Sequence, residues 1–292
     1  MNMRIGIFTV HHKEGILTPT QAPFVPFMVG CTSAPPDGFM GDHAGVSLGS
    51  LGHNAGSYGD LRAQFSVWKN SINQYDVIGF QQYRRLYFFD NRTMRRLFSE
   101  TEVMTRATLR HPSIFINAGR SGFERYIQAL DQSTDEISSY IEKATASSII
   151  VNRRLVTNEG MVELFKRIHD KEHWDLLVSI LHKKGGNYPI IAGEAVHNKW
   201  APYCNMFIAR TEVFSQILES LFDIMFEVER NIDLSAGLQL ERSLAYIAER
   251  LMAMIIIEYA AANPEIGLID LPVVNYVDHL GDGIYSSLGR II

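Results

Sequence analysis

The chain has 292 residues, of which 46% are hydrophobic and 20% charged, enough apolar material to bury a sizeable core in one large domain or two small ones. Its formal net charge of -5 argues against a nucleic-acid footprint, which shows as a basic balance or a basic stripe. Two distant cysteines, Cys31 and Cys204, exclude a disulfide framework and a zinc spacing, and the short apolar runs and lack of a leader pattern point to a cytoplasmic protein without a membrane span.

Residues 4–10 alternate and are rich in β-branched side chains, which predicts a first strand ending in His11, His12 and Lys13. The stretch 15–54, rich in Pro, Gly, Thr and Ser, reads as a long loop with one strand-like piece at 24–29. Ser57 and Asp60 fit a capping box, and Leu61, Phe65, Trp68 and Ile72 follow at helical spacing. Val77, Ile78, Gly79 and Phe80 then form an apolar run short enough for a buried strand, which ends in Gln81, Gln82, Tyr83, Arg84 and Arg85. Open α/β sheets bind ligands at such a polar cluster past a strand's carboxyl end, and two adjacent arginines there suit an anion.

Residues 91–110 set five arginines around Met94, Leu97, Phe98 and Met104, a basic amphipathic helix that is either a solvated face or an acceptor or membrane-surface site. Helical spacing over 122–144 suggests an inserted helical layer. A second buried strand at 148–151 ends in Asn152, Arg153 and Arg154, and helices are predicted over 158–169 and 172–184, the latter stopped by Gly185 and Gly186. His169 and His173 would pair on a metal only if the helix ran unbroken through 170–172, where a break is expected.

A last short strand is predicted at 206–209, behind a polar and aromatic stretch in which His197 offers a sugar contact and Trp200 a stacking platform, although packing explains Trp200 equally well. Thr211 is placed to cap a helix in which Phe214, Ile217, Leu218, Leu221, Phe222 and Met225 keep the three/four spacing. In a final helix at 238–259, Leu240, Leu244, Ile247 and Leu251 share one side, and Arg242, Tyr246 and Glu249 the other.

Sugar transferases of the GT-A type end a strand in an Asp-x-Asp metal site, and here Gln82, Tyr83, Arg84 and Arg85 occupy that place. A departing nucleoside diphosphate needs its charge neutralised, which guanidinium groups can do through charge-assisted, bidentate hydrogen bonds. Structural ion pairs are the alternative for both arginines. A divalent metal, Mn²⁺ or Mg²⁺, stays open, with no residue assigned to it.

The series HHKEG, FVPFMVG, GHNAG, VWKN, DVIGFQQYRRLYF, IHDKEHWD, NMFIARTEVF and YIAERL, running in that order from residue 12 to residue 251, resembles the capsular-polysaccharide-synthesis family of glycosyltransferases, catalogued as a domain of unknown function. Gln82 stands where that pattern has His, His53 where it has Asp and Asp60 where it has Glu, so donor identity stays open. The resemblance implies an α/β, GT-A-like (Rossmann-like) mixed sheet flanked by helices, with a helical insertion and a helical C-terminal portion. It would form one domain with a nucleotide-sugar-binding part at 1–90, an insertion at 91–147 and an acceptor-side part at 148–292.

The resemblance also implies transfer of a sugar from a nucleotide diphosphate donor to a glycan or lipid-linked acceptor, in capsule or O-antigen synthesis. Galactofuranose from its uridine diphosphate donor is one candidate. His12, Lys13, Asn54, Asp60, Gln82 and Tyr83 would line the donor pocket, and Arg84 and Arg85 would hold the diphosphate. Glu249 would take the acceptor proton, with Glu241 and Glu194 in reserve, and His197, Trp200, Asn205, Arg242 and Tyr246 would face the acceptor. Inverting and retaining stereochemistry both remain open, as does peripheral contact with the inner membrane face or with polysaccharide assembly proteins. The rival reading is a non-catalytic glycan-binding or scaffold subunit.

Overall fold

The computed structural model describes residues 3–13, 15, 17–90, 93, 114–152, 155–156, 160–189, 200–202, 204–233, 242–278 and 284–288. In chain order these form β1 (Ile5–His11), β2 (Phe24–Met28), β3 (Met40–Gly41), α1 (Leu61–Asn70), β4 (Val77–Gln82), β5 (Arg85–Tyr87) and β6 (Ile114–Ala118). There follow α2 (Arg120–Gln132), α3 (Thr134–Ala144), β7 (Ser148–Asn152), β8 (Leu155–Val156), α4 (Met161–Ile168), α5 (Lys171–Lys184) and β9 (Trp200–Ala201). The last are β10 (Phe207–Arg210), α6 (Thr211–Asn231), α7 (Ser243–Ala262), β11 (Gly267–Leu271), β12 (Val273–Tyr276) and β13 (Ile284–Leu288).

One mixed sheet runs β3-β2-β1-β4-β10-β7-β11. The strands β1, β2, β3 and β4 are mutually parallel, whereas β10 runs against both β4 and β7. At its end β4 turns back through Tyr83 and Arg84 into β5, and β12, β6 and β13 continue the sheet from there. The strands β8 and β9 pair separately.

Period-two alternation along the central strands feeds two cores, one on each face. Phe8 and Val10 of β1, with Phe80 of β4, pack against α1, α4, α5, α6 and α7. Ile7 of β1, Val77 of β4 and Ile208 of β10 pack on the opposite side with α2 and α3. The helix α6 buries Phe214, Ile217, Leu218, Leu221, Phe222 and Met225, as its spacing predicts.

Several local expectations give way. The capping box does not form: Ser57 is buried in a short 3-10 turn, Ala55–Tyr58, and Asp60 precedes α1 without capping it. Thr211 likewise does not cap α6; its hydroxyl donates to the Tyr75 carbonyl at 2.8 Å. The helical layer expected over 91–147 contains a strand, β6, and Ser133 divides its helical part into α2 and α3. Beyond α7 the chain returns to the sheet as β11, β12 and β13, so the helical C-terminal portion ends at Ala262. The basic stretch 91–110 (Thr93 apart), Arg153 and Arg154 lie outside the described residues. Among the described residues no helix is long and apolar enough to cross a membrane.

Candidate active site

Parallel pairing of β1 with β4, in register at Val10 and Gln82, brings His12 and Lys13 beside Gln82, Tyr83 and Arg84. The Tyr83 N–H donates to the Val10 carbonyl at 3.0 Å and fixes the turn against the end of β1. Adjacent residues at this edge then divide between the two faces of the sheet.

On the α1 side the centre is Asp60, only 7% exposed. Its carboxylate accepts from the His12 Nε2–H and from the Gln82 side-chain amide, which is why it is not free to cap its own helix. The same Gln82 amide nitrogen donates to the Cys204 carbonyl at 3.2 Å, and the Gln82 carbonyl oxygen accepts from Arg85 Nη1 at 2.7 Å. Arg85 sits within electrostatic reach of Cys204, Glu249 and Asp60. One amide therefore orients a carboxylate and a guanidinium together.

Glu249, on α7, closes this side. Its Oε1 accepts from the Cys204 N–H at 2.5 Å, and its Oε2 pairs with the buried Arg250 at 2.5 Å. Cys204 and Asn205 both hold positive φ, 71° and 51°, uncommon for residues other than glycine. Gln64 of α1 pins the turn from below by donating to the Asn205 carbonyl at 2.6 Å. Desolvation pushes the Cys204 thiol up to about 11 despite the pull of Arg85, so at neutral pH it is a neutral thiol rather than a nucleophile.

On the α2 side Lys13 and Arg84 border a cavity of about 290 Å³. Arg84 pairs with Asp278 at 3.1 Å and lies over the rings of Tyr83 and Tyr276. The two neighbouring arginines thus serve different sides of one edge. Beneath the turn, His11 is fully buried, its ring against Phe39 and Tyr83 and both ring nitrogens without a hydrogen-bond partner among the described residues.

The remaining predicted residues are more scattered. Asn54 is exposed, with its N–H held at 2.5 Å by Glu229, which also accepts from His53 Nδ1 at 2.6 Å and the Tyr58 hydroxyl at 2.9 Å. Arg242 lies over Tyr246, which stacks on His169 at 4.2 Å, so these two share a cluster to which the described contacts do not join Glu249. His169 ends α4 and His173 sits on α5, with the expected break between them. Trp200 pairs in a two-stranded ladder with Val156, and His197, Glu194 and Glu241 lie outside the described residues. Among the described residues no three His, Cys, Asp or Glu side chains gather as a metal site. Sequence reading missed Glu229, Arg120, Tyr276 and Asp278, which carry no motif. Gln64 left a signal as a polar residue beside the apolar stripe of Leu61, Phe65 and Trp68.

A family model described as Domain of unknown function (DUF4422) matches residues 6–259, from β1 into α7. The chain belongs to this family. Every residue of the Asp60 network falls inside the DUF4422 match, whereas Tyr276 and Asp278 lie beyond it. A search of the curated proteins finds no match. Among solved structures the chain is similar to the apo structure of the bifunctional glycosyltransferase WbbM, with a TM-score of 0.73 and 21% identity over 94% of this chain. It spans 45% of that longer protein. The likeness concerns the fold, which is α/β and GT-A-like.

Proposed function

We propose that the chain is a glycosyltransferase that moves a sugar from a nucleotide diphosphate donor to a glycan or lipid-linked acceptor. The observation that carries the reading is the His12–Asp60–Gln82–Arg85 network, built at the carboxyl ends of parallel strands in a fold similar to that of a glycosyltransferase. Arg85 commits one Nη1 hydrogen bond to Gln82 and is held in one orientation by it, leaving further donors for the donor's diphosphate. As the bond between the anomeric carbon and the phosphate oxygen breaks, the electron pair leaves with the nucleoside diphosphate, and a pre-oriented guanidinium stabilises that charge without reorganising.

Glu249 is the proposed base, taking the proton of the acceptor hydroxyl as that oxygen bonds to the anomeric carbon. The Cys204 N–H and Arg250 hold its carboxylate in one orientation. Asn54, beyond the turn that Glu229 holds, borders the nucleotide, and a uridine diphosphate sugar is the donor class to try first. The test is release of nucleoside diphosphate from a panel of uridine, guanosine and thymidine diphosphate sugars. The reading expects release with one donor class and its loss in Glu249→Gln with nucleotide binding retained. Turnover unchanged in Glu249→Gln would remove the residue from the chemistry, and no nucleotide binding of any kind would leave the scaffold reading in its place.

A further inference from the structure

The cavity on the α2 side takes no part in that scheme, yet it is built for an anion. Lys13, Arg84 and Arg120 face it against two carboxylates, Asp278 and Glu124. Arg84 pairs with Asp278 at 3.1 Å and Arg120 with Glu124 at 3.2 Å, both in exposed pairs that a better-placed anion can replace at little cost. Among the described residues Lys13 forms no ion pair, and the buried Arg84 Nε has no hydrogen-bond acceptor. Gly119 supplies no capping side chain to α2, so the positive end of that helix adds to the field.

The walls suit a sugar. Tyr276 and Phe123 present rings 5.3 Å apart, inclined at 41°, with the Asp278 carboxylate beside the Tyr276 hydroxyl. At about 290 Å³ the space is at the small end of ligand pockets, enough for one ring with its charged substituent rather than a whole nucleotide sugar. It is also on the wrong face for the donor network. The helix behind Asp60 packs on the core of Phe8 and Phe80, whereas α2 packs on the core of Ile7 and Ile208, and only the Tyr83–Arg84 turn separates the two sides.

We propose that this cavity is a subsite for an anionic sugar residue of the acceptor, one bearing a carboxylate or a phosphate. The assignment rests on the transferase reading above for the word acceptor, but not for the binding itself.

The experiment is titration of the full chain with glucuronate, glucose 6-phosphate and glucose, each with and without saturating uridine diphosphate. At least one charged sugar should bind ten-fold or more tightly than glucose, with no competition from uridine diphosphate. Lys13→Gln and Arg120→Gln should each weaken it about five-fold; both positions are exposed, and melting curves check that the fold is intact. Glucuronate ahead of glucose 6-phosphate marks a uronic acid acceptor and the reverse a phosphorylated one, and either supports the subsite. Glucose binding as tightly, neither charged sugar binding, both variants binding as the wild type does, or displacement by uridine diphosphate overturns it. Charged sugars that bind while none of uridine, guanosine and thymidine diphosphate does would support the cavity and sink the transferase reading instead.

Discussion

His11 makes the end of β1 sensitive to acid, and the effect can be sized. Burial, assisted by the neighbouring His12, holds its ring at about 4 instead of the ordinary 6.5, so the folded protein resists a proton that the unfolded chain accepts. In the window between those values the unfolded state binds more protons, and stability falls as pH falls from 6.5 toward 4, then flattens below. With about 1.4 kcal/mol per unit, the loss between pH 7 and pH 4 is roughly 3 kcal/mol. His11→Phe keeps a ring against Phe39 and Tyr83 and removes two unpartnered nitrogens, so at pH 7 it should be as stable as the wild type or more so. Urea denaturation of both proteins at pH 7, 5.5 and 4 should show their stabilities diverging by about that amount toward acid. Parallel pH profiles would refute the reasoning, because they would mean that His11 is protonated as readily in the folded state as in the unfolded.

Three further outcomes are expected. Gly79→Ala should destabilise by about 1–3 kcal/mol in denaturant titration, because a Cβ there would sit 2.6 Å from Ile208 and 2.8 Å from Ile7. Glu229→Gln should cost about 1–3 kcal/mol, since it weakens a carboxylate that holds His53, Asn54 and Tyr58 together. It should also weaken nucleotide binding through Asn54, whereas unchanged affinity would detach that loop from the donor. Gln82→Ala should weaken nucleotide binding in calorimetry without unfolding the protein, because it frees Arg85 from its only side-chain tether among the described contacts.

The parts legible in the sequence were those written as long periodic patterns or as strand ends. The stripes of α1 and α6, and the polar clusters after β1 and β4, follow from spacing alone, and the parallel pairing of those two strands then assembles the site. The strands β5, β6, β11, β12 and β13 were not legible: each has five residues or fewer, too short for periodicity to separate them from loop or helix, and their pairing partners are remote. The division of labour between Arg84 and Arg85, and between His12 and Lys13, was equally hidden, because a linear order does not say which side of an edge a turn residue serves. Glu249 was legible as a candidate, but its grip on the Cys204 N–H depends on a left-handed backbone at two residues that are not glycine. Capping failed as a guide at Asp60 because its carboxylate is turned toward His12 and Gln82 and away from the N–H groups of its own helix.

The most direct test of the donor site is calorimetric titration of the full chain with uridine diphosphate, comparing the wild type with Arg85→Ala. Loss of charge-assisted hydrogen bonds, each of about 1.5–3 kcal/mol, predicts binding by the wild type and a drop of roughly 10- to 100-fold in the variant. Nucleotide binding of equal strength in both would contradict the account, since the diphosphate would then rest on groups other than the guanidinium that the Asp60 and Gln82 network holds in place.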